Sequence, residues 1–372
     1  MSIGNGRTKR VPRGLAALGL AAAAAAAQGQ SVTAYGILDV ALEHVDSIGA
    51  QNATLSRMPG NTGSVPSRLG FRGSDDLGGG LRGVFTLEMG FAPDTGVFSQ
   101  GNRGFGRQAF VGLAGAWGAL TFGRQYTMLY WSLLDSDQLG PNLYGSGSLD
   151  AYIPNARADN AIAYKGTFSG LTLGGTYSFG RDTVNAGNPA GTNCPGELAG
   201  DRQACRGWSA LVKYDRDNWG AALAWDEIRG GPGAFGGLTS SALKDSRLSA
   251  NGYVRFGELK TVVGLVRRDN QGSAVTPKSD LWWVGGLYPV TPLLHLEAQV
   301  FRIDYKGSAN GSLLAAGRAT YYLSKRTAVY TTFGQINNDG TLTTSASAGG
   351  PGTNTAPGGS QLAWAAGLRH SF

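Results

Sequence analysis

The chain has 372 residues, of which 60 are Gly, 14 Tyr, 14 Phe and 8 Trp, and a formal net charge of +7. Four of its 32 basic residues (Arg7, Lys9, Arg10 and Arg13) sit at the N-terminus; the other 28 face 25 acidic residues, a surplus of +3 that argues against a nucleic-acid-binding protein. The glycines show no collagen period and no sustained 3.6-residue apolar stripe exists, so fibrous and helical classes are excluded and one large β architecture remains.

In chain order, the basic cluster is followed by the apolar run Gly14–Ala27, which closes on Ala25-x-Ala27. That is the pattern of a secretory signal peptide over 1–27, with residues 28–372 as the exported domain. A spanning helix needs about 20 apolar residues; this run has 14. The exported part reads as sixteen strands: 31–45, 65–74, 81–92, 105–115, 119–126, 158–168, 171–180, 206–216, 219–229, 244–256, 259–269, 279–290, 293–306, 311–323, 326–337 and 360–372. Tight turns rich in Gly, Asn and Asp, such as Ser169-Gly170 and Asp217-Asn218, alternate with longer connections, the longest at 127–157. Short turns on one side, long loops on the other and an even strand count form the outer-membrane pattern. A spanning β-protein must close, because lipid cannot satisfy an open sheet edge.

The faces follow from alternation. Leu69 and Phe71 point to lipid while Arg68 and Arg72 point inward; Leu81, Phe85, Leu87 and Met89 point out while Arg82, Thr86 and Glu88 point in. In 293–306 the apolar parity changes at Phe301, Ile303 and Tyr305, which predicts a bulge. Aromatics near strand ends (Tyr177, Phe179, Trp282, Trp283, Tyr321, Tyr322) suit interfacial girdles. The last strand places Leu362, Trp364, Leu368 and the terminal Phe372 on one face, as a wall strand would. Inward arginines exclude a dry β-sandwich core.

Cys194 and Cys205 are the two cysteines, close together in a Gly/Pro/Asn-rich stretch of an exported chain, and are expected to form a disulfide within a surface loop rather than a metal site. His44, His295 and His370 are the three histidines, and no serine motif accompanies any of them, so catalysis by a nucleophile and base is not expected. No cofactor or metal is expected.

Several segments carry a family resemblance: Val32-Thr33-Ala34-Tyr35-Gly36, Ser67–Gly78 (SRLGFRGSDDLG), Arg107–Leu113 (RQAFVGL), Leu120–Tyr126 (LTFGRQY), Tyr322–Thr327 (YLSKRT) and Gly367–Phe372 (GLRHSF). With them the chain resembles the general outer-membrane porins of Gram-negative bacteria, in their beta-proteobacterial form. The resemblance implies a bacterial outer-membrane homotrimer of sixteen-stranded antiparallel barrels, the third loop (127–157) folded into each lumen. It implies passive diffusion of small hydrophilic solutes and ions. Arg68, Arg72, Arg124 and Arg157 match basic wall positions of the constriction, although strict alternation requires a shift at Gly123 to turn Arg124 inward. Asp135 and Asp137 are candidates for the acidic loop side, Asp137 the better one. Where enterobacterial relatives carry an acidic residue after a proline, Pro141 is followed by Asn142, so the constriction is expected to be net positive and to favour inorganic anions. Phe372 resembles the terminal aromatic recognised by the barrel-assembly machinery, and the outer wall meets outer-membrane lipids. A substrate-specific channel of the same architecture is the alternative; Tyr126, Tyr130, Trp131 and Tyr144 would be its aromatic set.

Overall fold

Residues 31–60, 63–180, 194, 196–234 and 236–372 are described by the computed structural model; the expected leader over 1–27 lies outside them. Period-two alternation becomes a continuous antiparallel sheet of eighteen paired segments. Two of these are short loop pieces: Ala53–Arg57, folded back on the first strand, and Arg157–Ala158, paired with Gln125 and Tyr126. The other sixteen form the barrel wall, in agreement with the sixteen expected. They are β1 (Ser31–Ile48), β2 (Arg68–Gly78), β3 (Leu81–Gly90), β4 (Gln108–Gly115), β5 (Gly118–Tyr126), β6 (Ala161–Phe168), β7 (Leu171–Ser178) and β8 (Gly207–Asp215). The second half comprises β9 (Trp219–Arg229), β10 (Lys244–Phe256), β11 (Leu259–Asn270), β12 (Lys278–Pro289), β13 (Leu294–Tyr305), β14 (Gly311–Tyr322), β15 (Thr327–Asp339) and β16 (Ser360–Ser371).

The wall closes on β1. Its first half pairs with β2 (Ser31↔Ser74 to Ile37↔Arg68) and its second with β16 (Ile37↔Ser371 to Val45↔Ala363). Beyond β16, the Phe372 amide donates to the Gly36 carbonyl and the Gly36 amide returns the bond, each at 3.1 Å, so the chain's end is built into the wall. Closure removes every strand edge, as hydrocarbon surroundings require. Outward positions carry exposed apolar side chains, among them Val111, Phe122, Val212, Val263, Val284, Phe333, Trp364 and Leu368.

The apolar core lies off-centre, between the 127–157 segment and one half of the inner wall. Leu129, Leu133, Leu139, Leu143, Tyr152 and Ile153 of the segment pack with Val262, Leu281, Trp283, Phe301, Ile303, Leu314 and Ile336 of β11–β15. This corrects two expectations. β13 runs without a register shift against both neighbours, so there is no bulge at Phe301. Phe301 and Ile303 keep the inward parity and are apolar because the loop covers them, while Arg302 and Asp304 take the outward positions. Trp283 is not a girdle residue either; it is buried inside, with its indole N–H donating to the Ser136 carbonyl at 2.8 Å.

Cys194 and Cys205 are disulfide-bonded, with Cα atoms 5.2 Å apart.

Candidate functional site

The 127–157 segment opens with a short helix, α1 (Met128–Leu133), whose first amide finds no intrahelical partner and instead donates to Ser209 Oγ of the wall at 2.9 Å. From there the segment is tied down point by point. Gln299 Oε1 accepts from the amides of Gln138 and Leu139 at 3.1 and 3.2 Å, and the Tyr144 hydroxyl donates to Glu43 at 3.1 Å. The Tyr152 hydroxyl donates to Asp226 at 2.6 Å. At its far end, the Arg247 guanidinium grips Asp150 with two bonds of 2.9 and 3.1 Å. Burial alone would raise the Asp150 carboxyl, but Arg247 and Arg268 outweigh it and hold it below the usual carboxylate range.

Between this segment and the opposite wall lies a cavity of about 710 Å³. Arg68, Arg107 and Arg157 reach it from the wall and the segment's end, and Arg318 from β14; Tyr130, Gln138 and Asn142 reach it from the segment. Ser345, Ser347 and Thr353 of the last long connection complete the lining, and no Asp or Glu lines it among the described residues. The arginines are held in place from behind. Arg107 Nε donates to Glu88 at 2.7 Å, and Arg68 Nε lies 3.8 Å from the same carboxylate. The Tyr126 hydroxyl accepts from both Arg107 (2.7 Å) and Arg157 (2.9 Å) and so holds two guanidinium groups together. The Tyr126 ring stacks on Tyr130 with centroids 3.8 Å apart, and the Arg157 guanidinium lies over its other side at 4.6 Å. Across the cavity, Arg318 pairs with Glu297 at 2.5 Å.

Of the sequence-expected wall residues, Arg68 and Arg157 line the cavity. Arg72 faces inward nearby, its guanidinium over the Tyr35 ring at 5.3 Å, but is not part of the lining. Arg124 is buried next to the cluster and pairs with Asp159 at 2.6 Å, while its Nε donates to the Gly106 carbonyl. The register with β4 runs unbroken through Gly123, from Val111↔Phe122 to Ala109↔Arg124, so the shift expected there is absent; on the other side Phe122 faces Ile162 and Gln125 faces Ala158, which puts the extra residue between Ala158 and Ile162. Gly123 has φ +125°, and a Cβ there would meet the Ala109 carbonyl oxygen at 2.2 Å, so only glycine fits at this position.

The acidic candidates are placed elsewhere. Asp135 pairs with Lys213 on the wall, and Asp137 is buried within the segment, accepting from the Ser146 hydroxyl at 2.6 Å and the Gly140 amide at 3.2 Å. Neither lines the cavity. Of the four aromatic candidates Tyr130 alone lines it; Tyr126 supports the arginines, Tyr144 anchors the segment and Trp131 carries the Lys165 ammonium over its ring.

Arg107 and Arg318 were not read from the sequence. Alternation over the expected 105–115 strand puts Arg107 on the face of Val111 and Leu113, whereas the strand begins only at Gln108 and leaves Arg107 free to turn to Glu88. Arg318 lies directly opposite Glu297 in the β13–β14 register, a pairing that the structure supplies.

A closed antiparallel barrel with an apolar outer belt and a polar interior crossed by a loop defines a β-barrel membrane channel. The chain belongs to the Gram-negative porin family, whose model matches residues 14–341, and it forms an outer-membrane channel for passive diffusion. An outer membrane porin protein of Bordetella pertussis is 34% identical over 244 residues, covering 60% of this chain and 63% of that protein. Outer membrane porin protein 32 of Delftia acidovorans is 28% identical over 380 residues, covering 97% and 99%. Among solved structures, an anion-selective porin from Comamonas acidovorans superposes with a TM-score of 0.71 at 23% identity, covering 92% of this chain and all of that one. OmpT of Vibrio cholerae, one of whose structures is a trimer form, superposes with a TM-score of 0.62 at 15% identity, covering 93% of this chain and 100% of that chain. At these identities the structural likenesses speak for the fold.

Proposed function

We propose that the channel prefers anions and that Arg68, Arg107, Arg157 and Arg318 create the preference. The observation that carries this reading is a lining with four arginines and, among the described residues, no carboxylate. Small inorganic anions and hydrophilic solutes cross down their gradients, sieved by the 127–157 segment and biased by the cationic wall. Arg72 serves the approach to the constriction, and Arg124 supports the cluster through Asp159 rather than contacting solute. Asp135 and Asp137 hold the segment, and Glu88 and Glu297 are the carboxylates set against the four arginines, which leaves the positive charges in excess. The Delftia relative and the anion-selective Comamonas structure lend support by kinship.

The functional unit on this reading is a homotrimer without catalytic activity or cofactor. Residues 1–27 direct export and are removed, and Phe372 marks the folded end for the barrel-assembly machinery. The narrower alternative, a substrate-specific channel, loses its aromatic set, because three of the four rings are engaged elsewhere.

Reversal potentials in a potassium chloride gradient test the proposal. Chloride preference is expected, stronger at low salt, because the Debye length falls from about 30 Å at 0.01 M to about 3 Å at 1 M. Arg68→Gln and Arg157→Gln are expected to move the potential toward cations. Cation preference in the unmodified channel, or a potential that neither variant moves, would sink the reading.

A further inference from the structure

The last long connection, 340–359, joins β15 to β16 at the loop end of the barrel and contains no charged residue. It folds inward: Ser345, Ala346, Ser347, Thr353 and Thr355 are buried. Two buried amides of the wall hold it there. Gln361 of β16 accepts from the Ser345 hydroxyl and the Ala346 amide, both at 2.9 Å, and donates to the Thr353 carbonyl at 2.8 Å. Asn338 of β15 donates to the Thr344 carbonyl at 2.9 Å and to Thr355 Oγ1 at 3.0 Å. An amide carries donors and an acceptor on one head, so a single side chain can grip both arms of a loop.

The connection is also seated on its neighbours. The Ser148 hydroxyl donates to the Ala346 carbonyl and the Ala348 amide to the Leu143 carbonyl, each at 2.7 Å, which fastens it to the 127–157 segment. A Cβ at Gly349 would meet Leu143 Cδ2 at 2.6 Å, so the two loops lie in direct contact. Arg57, at the end of the folded-back Ala53–Arg57 piece, donates to the Pro351 carbonyl at 3.1 Å and to Ser347 Oγ at 3.2 Å. Its Nε pairs with Glu43 at 2.7 Å, and Glu43 also accepts from the Ser347 hydroxyl at 2.5 Å. Held in this way, Ser345, Ser347, Gly350, Pro351 and Thr353 form part of the cavity lining. They bring no charge to it, and the Ser345 and Ser347 hydroxyls are engaged by Gln361 and Glu43. What they contribute is bulk.

We propose that 340–359 is a second constriction element, which together with the 127–157 segment sets the largest solute the channel admits, and that Gln361 and Asn338 are its positioning residues. Charge and size are then sorted by different parts of one opening: the arginines bias by sign, the neutral lip by width. The inference rests on the channel, and not on the ion preference assigned to the constriction.

Residues 344–354 can be removed without touching the wall. The Thr355 amide donates to the Thr343 carbonyl at 3.2 Å, the bond that closes a two-residue turn, so Gly-Gly can replace the lobe between them. In planar bilayers bearing the full barrel, single-channel conductance is read with uncharged polyethylene glycols of graded size; a polymer that enters lowers it. The lobe-replaced channel should conduct more than the unmodified one, and its polymer limit should shift to larger sizes. Gln361→Leu keeps the bulk and deletes the bonds to Ser345, Ala346 and Thr353. It should shift the limit the same way by less, with the heat-modifiable migration of the folded barrel unchanged. An unchanged limit in the lobe-replaced channel overturns the second constriction. An unchanged limit in Gln361→Leu, where the lobe replacement is effective, overturns the positioning role. Should Gln361→Leu not fold, Asn338→Ala must shift the limit in its place. The probes carry no charge, so the outcome is separate from anion preference, whose failure shows in the reversal potential.

Discussion

Two buried charge clusters flank the cavity, and they are built from the same residue types to opposite ends. On the β10–β11 side, Arg247 and Arg268 meet Asp150 and Asp245, two cations for two carboxylates, with contacts between 2.8 and 3.1 Å. On the β2–β5 side, three arginines stand against one carboxylate: Arg68 and Arg107 share Glu88, and the neutral Tyr126 hydroxyl accepts from Arg107 and Arg157. A buried pair gains its Coulomb energy only when geometry and stoichiometry are complete. The balanced cluster therefore works as a clamp with no field beyond itself. The unbalanced one keeps a net positive charge beside the water-filled cavity. Arg157 even leaves its buried Nε without a protein partner.

The largest expected effect comes from breaking the clamp. Asp150→Ala leaves the Arg247 guanidinium buried with half its acceptors gone, and removing one member of such a pair costs about 3–5 kcal/mol. The barrel wall persists, since every strand keeps both neighbours, so the loss should fall on the segment: a larger single-channel conductance with noisier open states. Unchanged conductance would mean that the remaining anchors at Tyr144, Tyr152 and Gln299 suffice. The clamp has its own pH signature. Because the folded Asp150 carboxyl is depressed, its contribution is complete above the unfolded value near 4 and is lost as pH falls through the lower folded value.

The same contrast explains what could be read from the sequence alone. Wall strands were legible because a face turned to lipid enforces strict alternation, and the closing strand at 360–372 carries it without a break. Legibility ended where the segment covers the wall. Phe301, Ile303 and Trp283 look like lipid-facing residues by hydropathy, but their contacts come from a loop far away in sequence. The basic wall was half legible for a related reason. Arg68 lies on a ladder whose parity is fixed, whereas Arg107 enters from a connection, and its role depends on Glu88 and Tyr126 converging from two other strands. The acidic candidates misled because an aspartate in a loop gives no sign of whether it will face water, as near Lys213, or be enclosed, as Asp137 is.

A smaller effect should follow from Tyr126→Phe, which keeps the ring stacked on Tyr130 but removes the shared acceptor. Two guanidinium donors lose a bond of a kind worth about 1.5–3 kcal/mol each, partly recovered from lumen water. Arg107 and Arg157 should then drift apart, and anion preference should fall by about twofold at low salt. Thermal stability of the barrel should change little, and this separates a positioning role from a structural one. A large stability loss with unchanged selectivity would show that the hydroxyl merely packs. Lys306→Ala, at an exposed rim position where solvent screens the charge, is the control and should alter neither quantity.

The smallest effect on conduction is expected at Asp137, which does not line the cavity. Burial pushes this carboxyl up to about 6, although the Ser146 hydroxyl and the Gly140 amide favour its ionised form. The folded value lies above the unfolded one near 4, so the segment is most stable below that lower value, with the carboxyl neutral in both states. Stability then declines as pH rises from about 4 through 6, because the cost of burying the ionised carboxyl outweighs the hydrogen bonds that favour it. Open-channel noise should accordingly be lower at pH 5 than at pH 7.5, the reverse of the Asp150 trend, with the mean conductance almost constant. Asp137→Asn retains an oxygen to accept from Ser146 and Gly140 but has nothing to ionise. In that variant the noise should stay at its pH 5 level across the range. If noise still rises with pH in the asparagine variant, another group loosens the segment, and the comparison between its two ends loses this part of its support.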